Sequence, residues 1–167
     1  MSNSITHEEL HAHSEWLSSG GTAGQRLDKS GANLAQTHLV GTNLREAILA
    51  GANLQGAKLI GTDFDGADLS KADLSGADAN GAQFNGTNLS GANLSQAIMG
   101  GCELNGASLA HANATGAKLP GAELSNADLT SANFAEADLD GADLTGAKQS
   151  GLNLTGASLV DTRGLSA

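Results

Sequence analysis

From Leu34 to Leu159 every fifth residue is apolar, with one exception. The 26 positions hold 19 Leu, three Phe (Phe64, Phe84, Phe134), Met99, Ala79, Ala114 and the polar Gln149. Two residues before each of these centres stand 20 Ala, four Thr, Cys102 and Leu152. The residue between them is usually polar, as in Ala67-Asp68-Leu69 and Ala142-Asp143-Leu144. Neither a period of 3.6 nor a period of 2 survives such a pattern, so long amphipathic helices and regular alternating strands are both excluded. Within one pentad, small-polar-large does alternate. That predicts a three-residue strand with two side chains turned inward and one outward, and it leaves two residues to turn a corner.

The corner is best specified at Leu119-Pro120-Gly121-Ala122, where Pro presets the negative φ and Gly supplies the positive φ of a type II turn. Gly holds this second corner position in 17 of the 26 pentads. The run Gly41, Gly61, Gly81, Gly101, Gly121, Gly141 is expected to form one uniformly type II corner, broken only by Asp161. Gln36, Glu46, Lys71, Gln96, His111, Asn126, Ser131, Glu136 and Asp161 replace Gly. Their side chains predict corners without positive φ, Asn126 alone tolerating either conformation.

Ahead of the pentads, Ile5 to about Ser19 carries the start and stop signals of a helix. Thr6 is placed as N-cap, Glu9 completes a capping box, Ile5 can staple against Leu10, and Gly20-Gly21 ends the element. With Leu10, Trp16 and Leu17 apolar, the helix is expected to lie over the first pentads and shield their open edge. His7-Glu8-Glu9-Leu10-His11 satisfies the H-E-x-x-H spacing of zinc peptidases. A catalytic zinc also needs a third ligand and a cleft, and neither His13, His38 nor His111 has a route to the pair. A solvated helix face is the preferred reading, and no metal or cofactor is assigned.

Small residue, Asp or Asn, Leu or Phe, then two variable residues is the motif of the pentapeptide repeat family, which the chain resembles over about 130 residues. The resemblance implies an all-β solenoid, a right-handed quadrilateral parallel β-helix with four pentads to a coil. The expected organisation is a capping helix and linker over 1–31, a β-helix of about six and a half coils over 32–161, and a short tail over 162–167. Each repeat depends on its neighbours to bury its Leu. The family's abundance in cyanobacteria makes such a source an expectation.

Composition narrows the function. The 18 acids outnumber the 8 bases by ten, so nucleic acid and anionic membranes are disfavoured partners. No apolar run approaches the roughly 20 residues of a membrane span, and the start of the chain lacks the pattern of a secretion signal. A cytoplasmic setting is expected. Gly recurs at corners rather than in a phosphate loop, and Ser and Thr lack the partners of a triad. Cys102, the single cysteine, falls at an inward position and should be inert.

Sorting outward residues by their position modulo twenty gives two notable columns. Asn33, Asn53, Asp73, Asn93, Asn113, Asn133 and Asn153 predict a ladder of stacked amides. Asp63, Glu103, Glu123 and Asp143, with Asn43 and Gln83, make a column without a base. With Asp65, Asp68, Asp73, Asp78, Glu136, Asp138 and Asp140 around it, this column is expected to form an acidic interaction side. The chain is therefore read as a non-catalytic structural or protein-interaction module, with an unidentified protein partner. The resemblance adds an alternative, a DNA mimic that modulates a type II topoisomerase such as gyrase. Leu154, Leu159, Val160 and Leu165 are placed at an uncovered C-terminal coil, the expected edge for homodimerisation. Gln149, turned inward, is expected to weaken the core.

Overall fold

The computed structural model describes residues 4–166. Met1–Asn3 and Ala167, which begin and end the expected terminal segments, lie outside the described residues. From Asp28 onward every outward residue forms a parallel bridge with the residue twenty positions later, through to Asp143 with Arg163. Four pentads thus make one coil, and the chain climbs as a four-sided solenoid. The bridges begin one pentad before the expected start at 32 and reach Arg163, beyond 161. Only the outward residue of each side forms a bridge, so the sides are shorter than the three-residue strands expected from the alternation.

The pentad around Asn53 accounts for all five of its backbone N–H groups, four of them through bonds that recur along the tower. The N–H of Asn53 donates to the Ala32 carbonyl one coil back, at 2.9 Å, and that of Leu54 donates to Asp73 one coil on, at 2.6 Å. The corner residue Gly56 donates onward to Ser75 at 2.9 Å, and Ala57 closes the turn on the Leu54 carbonyl at 3.0 Å. The fifth N–H, that of Gln55, donates to the side chain of Asn53 at 3.0 Å. A short side-chain oxygen at the outward position satisfies this N–H, which accounts for Asp or Asn there in many of the pentads. The same contact from Asp128 to Thr130 N is 3.0 Å. Hydrogen bonds from Thr130, aided by Lys148, hold the Asp128 carboxyl at about 2.

The corners correct one expectation. Every non-glycine corner residue, from Gln36 (φ 59°) to Asp161 (φ 56°), has positive φ, as do Gly41 to Gly141. The first corner residues are not positive, so each turn is of type II. Three ladder bonds and a turn bond per pentad outweigh the roughly 1–2 kcal/mol that left-handed geometry costs a residue with a Cβ.

Leu, Phe and Ala side chains fill the tower, with Leu34 to Leu144 buried in almost unbroken series. Each Leu contributes roughly 1.5–3 kcal/mol gross. Phe64 and Phe84 stack one coil apart, with centroids 5.1 Å apart and rings at 8°. Inward polar residues donate to carbonyls in the wall: Thr62 Oγ1 to Leu39 O and Thr87 Oγ1 to Phe64 O, each at 2.7 Å.

Helix α1 spans His7–Ser18, with Thr6 as N-cap and both halves of the capping box formed by Glu9. Ile5 and Leu10 pack against the core. The helix is joined to the tower by backbone: Gln25 N donates to Ala12 O at 2.9 Å. Leu27 N donates to His13 Nδ1 at 3.1 Å. Gly24 (φ +72°) crosses so close that a Cβ would overlap Ala12 O. Lys29 takes a centre position where the next five coils use Leu, and its Nζ turns to Glu9, 2.8 Å away, and to the Ser4 carbonyl at 3.1 Å. The two ends differ. Leu34 and Leu44 are fully buried beneath the helix end, whereas Leu152, Leu154 and Leu159 are only half-buried.

Gln149 does not weaken the core in the expected way. Its Nε2 donates to Gly164 O at 2.7 Å and its Oε1 accepts from Ser166 N at 3.0 Å, so the side chain tethers the C-terminal tail.

Candidate interaction faces

The bridges define four sides. Side A carries Asn33 and its successors at steps of twenty, side B begins at His38, side C at Asn43, and side D at Asp28 and Ile48. On side A the amide ladder is partial. Asn93 Nδ2 donates to Asp73 at 3.0 Å and Asn153 Nδ2 to Asn133 at 2.8 Å, but Asn133 Nδ2 turns to Thr115 Oγ1. The main duty of these residues is to cap corner N–H groups.

Side C brings together Asp63, Glu103, Glu123 and Asp143 in one column, through the bridges Asp63↔Gln83, Gln83↔Glu103, Glu103↔Glu123 and Glu123↔Asp143. Asp65 lies at its edge. The wider acidic side is not formed: Asp63, Asp68, Asp73 and Asp78 are outward residues of consecutive pentads and so belong to four different sides. Asp138 bridges Lys118 on side B, Glu136 lies on the corner before side B, and Asp140 lies on the corner between sides B and C. The column also gains bases. Arg163 joins it above Asp143, with Nη2 3.0 Å from Asp143 Oδ2, and Arg45 Nη1 lies 3.6 Å from Asp63 and 3.7 Å from Asp65. Between these ends, Asn85 Nδ2 donates to Glu103 and Asn105 Nδ2 to Glu123, both at 2.9 Å. A row of fixed carboxylates on a flat wall can accept hydrogen bonds from a cationic surface, but it encloses no substrate.

Side B was not singled out by the acidic pattern, and with the corner that follows it carries four of the five exposed large apolar residues among the described residues. Val40 (57%), Ile60 (41%), Ile98 (38%) and Val160 (61%) all belong to side B or the corner that follows it. Exposed Pro120 lies on the same corner, and Lys58 and Lys118 stand in the outward column. Sorting the residue after each centre modulo twenty reveals this strip, since the other three corners hold almost no large apolar residue.

At the C-terminal edge, Leu154 and Leu159 pack against the core while Val160 and Leu165 are exposed. Val160 faces the side B corner rather than the end alone. In α1, exposed His11 pairs with Glu15 at 3.5 Å. A cleft of about 420 Å³ beside the helix is lined by Thr6, Glu8, Glu9, Arg26 and neighbours, without His7 or His11. Among the described residues no group of three or more His, Cys, Asp or Glu could hold a metal ion. No helix among them is long and apolar enough to cross a membrane. Cys102 Sγ donates to Ala79 O at 2.8 Å, and burial pushes its thiol up to about 12.

The sequence matches Pentapeptide repeats, in overlapping segments from 30–66 to 122–161. No curated protein sequence matches the chain. Among solved structures, HetL, a pentapeptide repeat protein involved in heterocyst differentiation regulation from the cyanobacterium Nostoc sp. strain PCC 7120, is 34% identical. The alignment covers 81% of this chain and 71% of HetL, with a TM-score of 0.66. A pentapeptide repeat protein of the Arabidopsis thaliana thylakoid lumen is 28% identical over 68% of this chain and 65% of its own, with a TM-score of 0.43. The matched segments, the five-residue period and the twenty-residue ladder agree: the chain belongs to the pentapeptide repeat family.

Proposed function

We propose that the protein is a non-catalytic interaction module that presents side C to a protein partner bearing basic residues. Its scaffold is a right-handed quadrilateral β-helix, whose 26 pentads from 32 to 161 give about six and a half coils at four to a coil. The observation that carries the reading is the column Asp63, Glu103, Glu123, Asp143, stacked on a wall with no enclosed cavity. The central pair, Glu103 and Glu123, has only amide partners, whereas Asp63 and Asp143 each have an arginine. A cationic partner therefore gains most at the middle of the side. The similarity to HetL, involved in heterocyst differentiation regulation, supports a regulatory setting. A homodimer through the C-terminal coil, at Leu154, Leu159, Val160 and Leu165, is the self-association expected from the sequence, and it competes for Val160 with any pairing of side B.

The test is capture from an extract of the source organism with the parent and with a Glu103→Gln/Glu123→Gln variant. Loss of a partner in the variant supports the reading, and identical partners in both overturn it. The gyrase alternative rests on the same column. Its carboxylates repeat at roughly 4.8 Å per coil, and the arginines at each end interrupt the anionic row, which favours a basic protein segment over duplex mimicry. No inhibition of gyrase supercoiling at micromolar protein would remove the alternative.

A further inference from the structure

Side B is self-complementary when it is read in opposite directions. Its outward column runs Lys58, Asp78, Ile98, Lys118, Asp138, each bridged to the next. We propose that side B is the interface of an antiparallel homodimer whose twofold axis passes through Ile98. Rotation about an axis that crosses the side sets each coil opposite its mirror position in the sequence of coils. Ile98 then meets Ile98 of the second copy, Lys58 meets Asp138, and Asp78 meets Lys118, so that four opposite-charge pairs flank one apolar contact. On the neighbouring corner the same operation sets Val40 against Val160 at both rims, joining the two most exposed large apolar residues among the described residues, and it sets Ile60 against Asp140.

The alternatives fail on charge. A parallel pairing sets every lysine and aspartate against its own kind. Sliding the antiparallel pairing by one coil in either sense juxtaposes Lys58 with Lys118 or Asp78 with Asp138, and like charges face to face are strongly disfavoured. The charges of these five residues sum to zero, whereas the chain carries −10 and side C is acidic. Asp140 on the corner adds one negative charge per copy, so side B is where two copies approach with little net repulsion. Lys58 already lies 3.6 Å from Asp78 within one chain, so its ammonium projects along the column toward a carboxylate that a second copy would share. The strip is long and narrow, which puts the contact at the small end of specific interfaces, below about 1,200 Å² in total, with a dissociation constant in roughly the micromolar range.

Two experiments test the pairing by sedimentation and cross-linking. Lys58→Glu/Lys118→Glu makes the column uniformly acidic, and Asp78→Lys/Asp138→Lys makes it uniformly basic. Each variant alone should be monomeric, with at least a tenfold rise in dissociation constant, and an equimolar mixture of the two should recover dimer. A parent that stays monomeric at about 1 mM overturns the proposal. So do single variants that dimerise as the parent does, an outcome that would place the contact at the C-terminal coil instead. The second experiment uses Ile98→Cys, which sets one new thiol on the axis while Cys102 stays buried. Mild oxidation should give a disulfide-linked dimer from Ile98→Cys and none from Ser158→Cys, whose thiol faces His38 of the second copy. Equal cross-linking of both, or of neither, overturns the arrangement.

Discussion

The side chain of Gln36 lies over Gly56, the residue at the same corner one coil later, so that a Cβ on Gly56 would overlap Gln36 Nε2. Gln96 stands over Gly116 in the same way, and Asn126 Oδ1 would be 2.5 Å from a Cβ on Gly146. Left-handed geometry sends the corner side chain toward the next coil, where Gln36, Gln96 and Asn126 leave room only for glycine, whereas a Cβ on Gly66 or Gly91 would make ordinary contact with Glu46 or Lys71. Seven of the eight non-glycine corners that have a successor are followed by Gly twenty residues on, and only His111, followed by Ser131, is not.

Gly56→Ala should therefore cost more than Gly81→Ala. Both glycines have φ near +60°, but a Cβ on Gly81 meets nothing within 4 Å. Left-handed strain alone predicts a loss of about 1–2 kcal/mol for Gly81→Ala, with about 1 kcal/mol more for Gly56→Ala from displaced Gln36. Denaturant melts of both variants, and of Gly56→Ala combined with Gln36→Gly, check the coupling: the extra cost should vanish in the double variant.

Gln149→Leu removes two hydrogen bonds that hold the tail to the last coil. Each is worth roughly 0.5–1.5 kcal/mol, and the half-buried site returns only part of this through the new apolar side chain. The variant should melt below the parent, and amides of Gly164–Ser166 should exchange faster. A higher melting temperature would contradict the tether.

Cap docking should weaken in mild acid. Burial and the nearby Arg26 charge lower the pKa of His13 below 6.5, against the opposing influence of the Arg45 backbone and Glu46. The ring is buried with Nε2 unpartnered, and it stacks on Trp16 with centroids 6.0 Å apart. The unfolded chain thus binds a proton that the folded chain refuses, so stability rises with pH across this window. The contribution is fully present above pH 6.5 and is lost as pH falls toward the folded value. Fluorescence of Trp16, the single tryptophan, should report the change, and His13→Leu should flatten it.

Cys102 should resist thiol reagents in the native protein. Its thiolate is scarce at pH 8, since the thiol titrates near 12, and the side chain is fully buried. Modification with a disulfide reagent should proceed only at the rate of unfolding. A rapid stoichiometric reaction would show that the wall opens at Cys102.

The repeat, the inward Leu and Ala positions and the capping box of α1 were legible in the sequence, because each depends on neighbours a few residues apart. The acidic column was partly legible. Sorting by twenty aligned Asp63 with Asp143, but it counted the acids of consecutive pentads as one side and omitted Arg163, which joins the column only when the ladder continues past Asp161.

Local chemistry thus determined the five-residue period, the type II corners at glycine and the helix start at Thr6. Tertiary structure decided the rest, where contacts a coil away outweigh local preference. The left-handed corners at Gln36 and Glu46 follow from ladder bonds that hold φ against the strain of a Cβ. Lys29 sits at a Leu position because Glu9 and Ser4 meet its ammonium, and Gln149 is satisfied by a tail fifteen residues ahead. Which outward residues share a wall is likewise set by stacking. The coil carries neighbours in sequence to different sides and brings residues twenty apart within contact.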